Sequence, residues 1–286
     1  MIRDGDMTPA AAAGLLDALT TIVSRAAAAI LAARAGALGT RTKADLSPVT
    51  AADEASEAVI LAGVSQLMPG IPIVSEEAAS RAPPAALSGP FVLVDPVDGT
   101  RELVAGRDEF CVNLALIRAG RPVLGIVAAP ALGLLWRAVE GFGAGRLQLD
   151  PGAPVGAARG QTPIQTRPMP ERGLIAAISR SHFDADSRAF LARLPQATLI
   201  ASGSAIKFCR LAEGAVDIYP RLAPTMEWDV AAGHAVLAAA GGLVTAPDGG
   251  PLAYGREDFR IPGFIAWGDR LAAKAGLERH HGPRVS

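Results

Sequence analysis

The stretch Phe91-Val-Leu-Val-Asp95-Pro-Val-Asp98-Gly-Thr100 constrains this chain more than any other, because an apolar run that reads as a buried strand ends in two carboxylates on a turn. Pro96 stiffens that turn, Gly99 lets backbone approach a ligand closely, and Thr100 adds a hydroxyl and an amide. The carboxylates of Asp95 and Asp98 and the carbonyl of Val97 suit an oxygen-loving cation. The amides of Gly99 and Thr100, if they open a helix, suit a phosphate oxygen. An ordinary solvated turn uses the same Asp, Pro and Gly, so the rest of the chain has to decide between the two readings.

Two further acidic groups bear on it. Ile73-Val-Ser-Glu76-Glu77 ends a second apolar run in carboxylates, and Glu227-Trp-Asp229 precedes a small-residue helix for which Asp229 alone would be an adequate N-cap. Taken together, acids stand at the ends of three apolar elements that a fold can bring to one point. There they repel unless cations lie between them. The 4 histidines and 2 cysteines show no zinc-type spacing, so hard oxygen ligation of Mg²⁺ is preferred.

Composition removes several other classes. With 27 Lys+Arg against 28 Asp+Glu the chain has no basic excess for a nucleic-acid polymer or an anionic membrane. Asp17, Arg25 and Arg34 interrupt the Ala-rich N-terminal region, so no integral membrane segment is expected, and Arg3, Asp4 and Asp6 do not fit a signal peptide. Cys111 and Cys209 lie far apart in apolar contexts, as reduced core thiols do, which points to the cytoplasm.

Periodicity predicts helices over 8–35 and 53–68, then strands at 71–75, 91–94, 112–117 and 123–128 and a hairpin from 134–139 through Gly141-Phe142-Gly143. The Gly/Pro-rich segment 141–170 holds turns, an edge strand near 147–149 and the boundary between two lobes, placed near Pro168. Beyond it, strands at 174–178, 198–201, 215–219, 243–245 and 264–266 alternate with helices at 184–193, 205–213, 229–240 and 270–275. The expected class is α/β: an α+β N-terminal lobe (1–168) that binds metal and an α/β C-terminal lobe (169–286) that binds substrate.

Ser75-Glu76-Glu77, Asp95-Pro-Val-Asp98-Gly-Thr100, Trp228-Asp229-Val-Ala-Ala-Gly233 with Ala240-Gly-Gly242, and Ser47-Pro-Val-Thr50-Ala-Ala-Asp53 occur in the order and spacing of one signature set. The chain resembles the lithium-sensitive, Mg²⁺-dependent inositol monophosphatase superfamily over nearly its whole length. Gly203-Ser-Ala-Ile-Lys207, Glu213-Gly-Ala-Val-Asp-Ile-Tyr219-Pro-Arg221, Ser179-Arg-Ser-His182, Asp98-Gly-Thr-Arg-Glu102 and Glu109-Phe-Cys-Val-Asn113 resemble its CysQ-type 3'(2'),5'-bisphosphate nucleotidases. Arg101 and Leu103 stand where Lys and Phe are commoner in that subfamily.

The resemblance implies a layered αβαβα sandwich of the inositol monophosphatase and sugar phosphatase type. It implies removal of the 3'-phosphate of adenosine 3',5'-bisphosphate, within sulfur metabolism, using two or three Mg²⁺ ions. Glu76, Asp95, the Val97 carbonyl, Asp98 and Asp229 are carried over as the metal shell, with Asp95 bridging and Glu76 holding a third, weaker ion. Asp53, Glu76 and Thr100 are the catalytic candidates, Thr100 and Asp53 orienting and deprotonating the attacking water. Gly99, Thr100, Ser179, His182, Gly203, Lys207 and Asp229 are assigned to substrate, Lys207 to the phosphate that is not cleaved. The alternatives are an inositol-1-phosphatase or broader sugar phosphatase of the same superfamily, and an idle metal- or nucleotide-binding regulator. The chain is expected to be a monomer or homodimer, with peripheral association at the inner membrane open.

Overall fold

The computed structural model describes residues 8–36, 38–43, 48–82, 87, 89–194 and 196–273. The expectations at residues 1–7, at Ser47 and at residues 274–286 lie outside them. Helix α1 (Pro9–Ala35) opens on Thr8, whose hydroxyl accepts from the Ala11 amide, and ends at Gly36. A minimal antiparallel pair, β1 (Arg41–Thr42) and β2 (Pro48–Val49), leads into α2 (Ala51–Leu67). Helix α2 starts two residues before the expected position because Thr50 caps it: its hydroxyl accepts from Ala52, while the Thr50 amide donates back to Asp53.

A seven-stranded sheet follows in the order β3 (Ile73–Ser75), β4 (Phe91–Asp98), β5 (Cys111–Arg118), β6 (Arg121–Ala129), β7 (Leu134–Val139), β8 (Ala144–Gln148) and β9 (Gln161–Ile164). Short helices α3 (Glu76–Arg81) and α4 (Thr100–Val104) leave the ends of β3 and β4. Only β3 and β4 run parallel. The Gly/Pro-rich segment thus supplies two strands where one edge strand was expected. Strand β9 is four residues long with a proline inside, a length and composition that periodicity does not register.

A second sheet, ordered β11-β10-β12-β16-β14, is built from β10 (Ile175–Ser179), β11 (Thr198–Ser202), β12 (Ile218–Arg221), β14 (Leu243–Thr245) and β16 (Phe264–Trp267). Helices α5 (Ala185–Leu191), α6 (Ile206–Ala212) and α7 (Glu227–Ala239) connect it, and β13 (Thr225–Met226) pairs with β15 (Arg260–Ile261) beside the start of α7. Strand β12 begins three residues later than its apolar run. The chain is still leaving α6 there: the Ala215 and Val216 amides reach back to the Arg210 carbonyl, and Asp217 binds Arg167 and the Ile175 amide.

Strand alternation explains the layering. In β4, Val92 and Val94 face the core shared with α1 and α2, whereas Phe91 and Leu93 face the core shared with α6, α7 and the second sheet. A third, smaller cluster joins Phe190 and Leu191 of α5 to Ile218, Ile265 and Trp267 on the far side of the second sheet. The five layers are therefore helix, sheet, helix, sheet, helix, as an αβαβα sandwich requires.

Helix α1 has the length expected of it, with all 27 residues helical, and by length and composition alone it could cross a bilayer. In this fold Leu19, Ile22, Val23, Ala26 and Ile30 instead form a stripe packed into the first core.

Candidate active site

The acids converge by register. Asp95 continues the alternation of Phe91 and Leu93, so it faces the α7 layer. Asp98, three residues on, would point to the opposite face of a regular strand. A register shift between the two pairings, Asp95 with Asn113 and Asp98 with Cys111, returns it to the same side. Because β3 runs parallel to β4, with Ser75 beside Val94, Glu76 leaves its strand at the same end. Helix α7 brings Asp229, and α2 brings Asp53 while its Ser56 hydroxyl donates to the Pro96 carbonyl at 2.8 Å.

Gly99 turns the chain with a φ of 96° and begins α4, and a Cβ there would lie 3.2 Å from the Glu109 carbonyl. The Thr100 hydroxyl stands 3.0 Å from Asp53 Oδ1 and 3.0 Å from the Val97 carbonyl, and its single proton serves one of them at a time. The other oxygen of Asp53 accepts from the amide and hydroxyl of Thr50, which fixes the carboxylate. Asp229 is not an N-cap. It sits in the first turn, where one oxygen accepts from Thr225 Oγ1 and from the Met226 amide.

Electrostatics marks the cluster as unsatisfied. Burial, then the charges of Glu76, Asp98, Asp229 and Asp53, hold the Asp95 carboxyl well above the usual range. Burial and Asp229 push Asp98 up to about 6, and burial pushes Glu76 up to about 7. Burial also raises Asp53, which makes it a stronger base than an exposed carboxylate. Lys43, which sequence reasoning missed, donates to Glu76 at 2.7 Å and to Glu77 at 2.5 Å; burial works against its charge, and the two carboxylates more than offset that.

Among the described residues no three His, Cys, Asp or Glu side chains are posed to enclose a metal ion. Each carboxylate is turned to a protein donor: Asp98 Oδ2 to Asn113 and the Ala205 amide, Asp95 Oδ1 to the Val97 amide, Asp229 Oδ2 to Thr225 and Met226. The donor set still fits a hard divalent cation. It consists of oxygen atoms alone, one from each acid remains beyond these bonds, and their mutual repulsion is what such a cation removes.

Glu76, Asp95, Val97, Asp98, Gly99, Thr100 and Asp229 line one cavity of about 230 Å³ together with Ser179, His182, Gly203 and Lys207. Every candidate is thus at this cavity except Asp53, which reaches it through Thr100. The same cavity also carries basic side chains. Lys207 is buried, not a surface lysine, and donates to the Ser202 and Ser204 carbonyls at 3.2 and 2.5 Å. His182 is held below its usual pKa by burial, then by Arg221 and Arg101. Arg221 has a buried Nε without a protein partner and lines the same cavity. Its signal in the sequence was an arginine closing the apolar run Val216-Asp-Ile-Tyr219.

A pocket lined by both acidic and basic side chains at the strand ends of an αβαβα sandwich is the arrangement expected of a metal-assisted phosphatase. The chain belongs to the inositol monophosphatase family, whose profile matches residues 11–277. It is 41% identical over 253 residues to the 3'(2'),5'-bisphosphate nucleotidase CysQ of Escherichia coli O157:H7, a match covering 87% of this chain and 98% of that one. The CysQ of Haemophilus influenzae is 31% identical over 231 residues, covering 80% and 83%. Among solved structures, CysQ from Bacteroides thetaiotaomicron superposes with a TM-score of 0.77 at 34% identity over 91% of this chain and 98% of that one. An inositol monophosphatase from Anabaena shares the fold with a TM-score of 0.72 at 24% identity, covering 96% and 98%.

Proposed function

We propose that this chain is a Mg²⁺-dependent 3'(2'),5'-bisphosphate nucleotidase that converts adenosine 3',5'-bisphosphate to AMP and phosphate. The observation that carries the reading is a single cavity lined both by the carboxylates of Glu76, Asp95, Asp98 and Asp229 and by Lys207, His182, Arg101 and Arg221. A substrate with two phosphates has a use for the metal-binding acids and for the basic side chains. An inositol monophosphate, with one, leaves the basic side chains without a second anion. The similarity to curated CysQ proteins supports the same choice.

Glu76, Asp95, the Val97 carbonyl, Asp98 and Asp229 would hold the ions, two or three of them. Divalent cations bound there lower the pKa of a water and offset charge on phosphoryl and leaving oxygens. The protein's own part is to aim and accept. Asp53, anchored by Thr50, takes the Thr100 proton, so that the Thr100 oxygen accepts from the attacking water and passes its proton toward Asp53. The first-turn amides of α4 face the phosphoryl oxygens. Ser179, His182, Gly203 and Lys207 take the nucleotide side, with Lys207 offering its remaining proton to the second phosphate. The metal ligands come from before residue 168 except Asp229, and the nucleotide contacts from after it, while Gly99 and Thr100 of the first lobe meet the phosphoryl group. The enzyme acts in the cytoplasm as a monomer or homodimer.

A phosphate-release panel tests the reading: adenosine 3',5'-bisphosphate, inositol 1-phosphate and fructose 1,6-bisphosphate, each with Mg²⁺ and with or without lithium. The bisphosphate should be turned over at least tenfold more efficiently than the others and be inhibited by lithium. Preference for inositol 1-phosphate would replace this reading with the monophosphatase one, and absence of any turnover would leave a binding protein.

A further inference from the structure

Ser179 and His182 both line the cavity, and the two residues between them are each held by a glutamate from the first sheet's end. Ser181 donates its hydroxyl to Glu102 Oε1 at 2.5 Å. Arg180 donates Nε and Nη2 to Glu109 at 2.8 and 3.0 Å, and Nη2 also reaches the Ala201 carbonyl at 3.0 Å. The same Glu109 carboxylate accepts from the Gly203 amide at 3.2 Å. Its backbone carbonyl is the spacer between two glycines: a Cβ on Gly203 would come within 2.5 Å of it, and one on Gly99 within 3.2 Å. Gly203 therefore has to be glycine because of Glu109, before any ligand is considered. Neither Glu109 nor Arg180 is among the residues lining the cavity.

We propose that Glu109 and Arg180 are positioning residues that set the enzyme's preference for a two-phosphate substrate, by holding the Ser179–His182 arm and the Gly203 loop at a fixed distance from the Asp95–Thr100 turn. The inference rests on the function proposed above. A bidentate guanidinium–carboxylate pair fixes orientation as well as distance, and the Gly203 amide extends that control to the loop carrying Lys207. A partly exposed pair of this kind adds little to stability, so its loss is read in substrate geometry. A substrate gripped both at the Asp95–Thr100 turn and at the Gly203 loop depends on the distance between them. A small ester that uses only the turn does not.

The test is Glu109→Gln, Arg180→Gln, the double variant and Arg180→Lys, each assayed with Mg²⁺ on adenosine 3',5'-bisphosphate and on p-nitrophenyl phosphate. Each Gln variant should raise KM for the bisphosphate roughly tenfold with kcat within about twofold, and leave p-nitrophenyl phosphate kinetics within about twofold. The double variant should be no worse than either single one, because one interaction is being removed. Arg180→Lys, which keeps the charge and loses the fork, should fall between wild type and Arg180→Gln. Equal KM changes on both esters, a change confined to kcat, additive losses or unchanged kinetics would each overturn the proposal. If wild type does not cleave p-nitrophenyl phosphate, the KM-against-kcat split on the bisphosphate decides alone. Wild type that cleaves the small ester and not the bisphosphate overturns the proposed function itself, and this inference with it; wild type active on the bisphosphate with variants indistinguishable from it overturns this inference only.

Discussion

Asp98 shows how a residue can be right for chemistry and wrong for stability. Its carboxylate is surrounded by other acids and pushed up to about 6 by burial and by Asp229. Asn keeps an oxygen for the Ala205 amide and deletes the charge. Asp98→Asn should therefore lose more than 100-fold in Mg²⁺-dependent turnover, while its melting temperature in chelator equals or exceeds that of wild type. Normal turnover at saturating Mg²⁺ would remove Asp98 from the metal shell. His234 carries the opposite kind of shift. Burial lowers it from 6.5 to about 4, and its Nδ1 lies 2.9 Å from the Tyr254 hydroxyl. Its folded pKa is below its unfolded one, so the stability tied to the neutral ring is complete above pH 6.5 and is lost as pH falls toward 4. Discounted for its partial exposure, that amounts to on the order of 2 kcal/mol. His234→Gln should flatten the fall in urea midpoint between pH 7 and 4.5; an unchanged fall would assign the acid sensitivity elsewhere.

Elements matter here through their ends and their closest approaches. Gly125 on β6 lies under α7, where a Cβ would meet the Ala232 carbonyl at 2.4 Å and the Ala235 methyl at 2.7 Å. Backbone cannot rotate away as a side chain can. Gly125→Ala should cost about 1–3 kcal/mol in urea unfolding and lower turnover as well, since the helix it displaces carries Asp229. The long elements were legible from the sequence because their periods are long: α1, α2, the central strands and α7 follow from apolar spacing alone. The acids were legible because each ends such a run. What stayed hidden has a physical reason in each case. The bulge between Asp95 and Asp98 has no composition of its own, α3 and α4 are too short to show a period, and β9 contains a proline. Lys43 reaches the site by tertiary folding, in a chain with 27 Lys+Arg to choose from.

At the scale of the whole molecule, the acidic cluster is a folding liability that cations relieve. If ions bind only the folded chain, saturating Mg²⁺ at about a hundredfold over its Kd adds about 2.7 kcal/mol. For a chain of this size that raises the melting temperature by roughly 4–5 °C. A melt in Mg²⁺ against one in chelator measures it, and coincident curves would mean that the acids hold no ion. The five layers also bear on the order of assembly. Helix α7 is the middle layer, packed on the seven-stranded sheet on one side and serving the core of the second sheet on the other, with Asp229 in its first turn. As the chain leaves the ribosome from its N-terminus, the first sheet and its outer helices emerge before α6, α7 and the second sheet, which share the core on its other face. The chemistry therefore waits for the last third of translation, and the nascent chain has no working site to act on nucleotides until its own interior is complete.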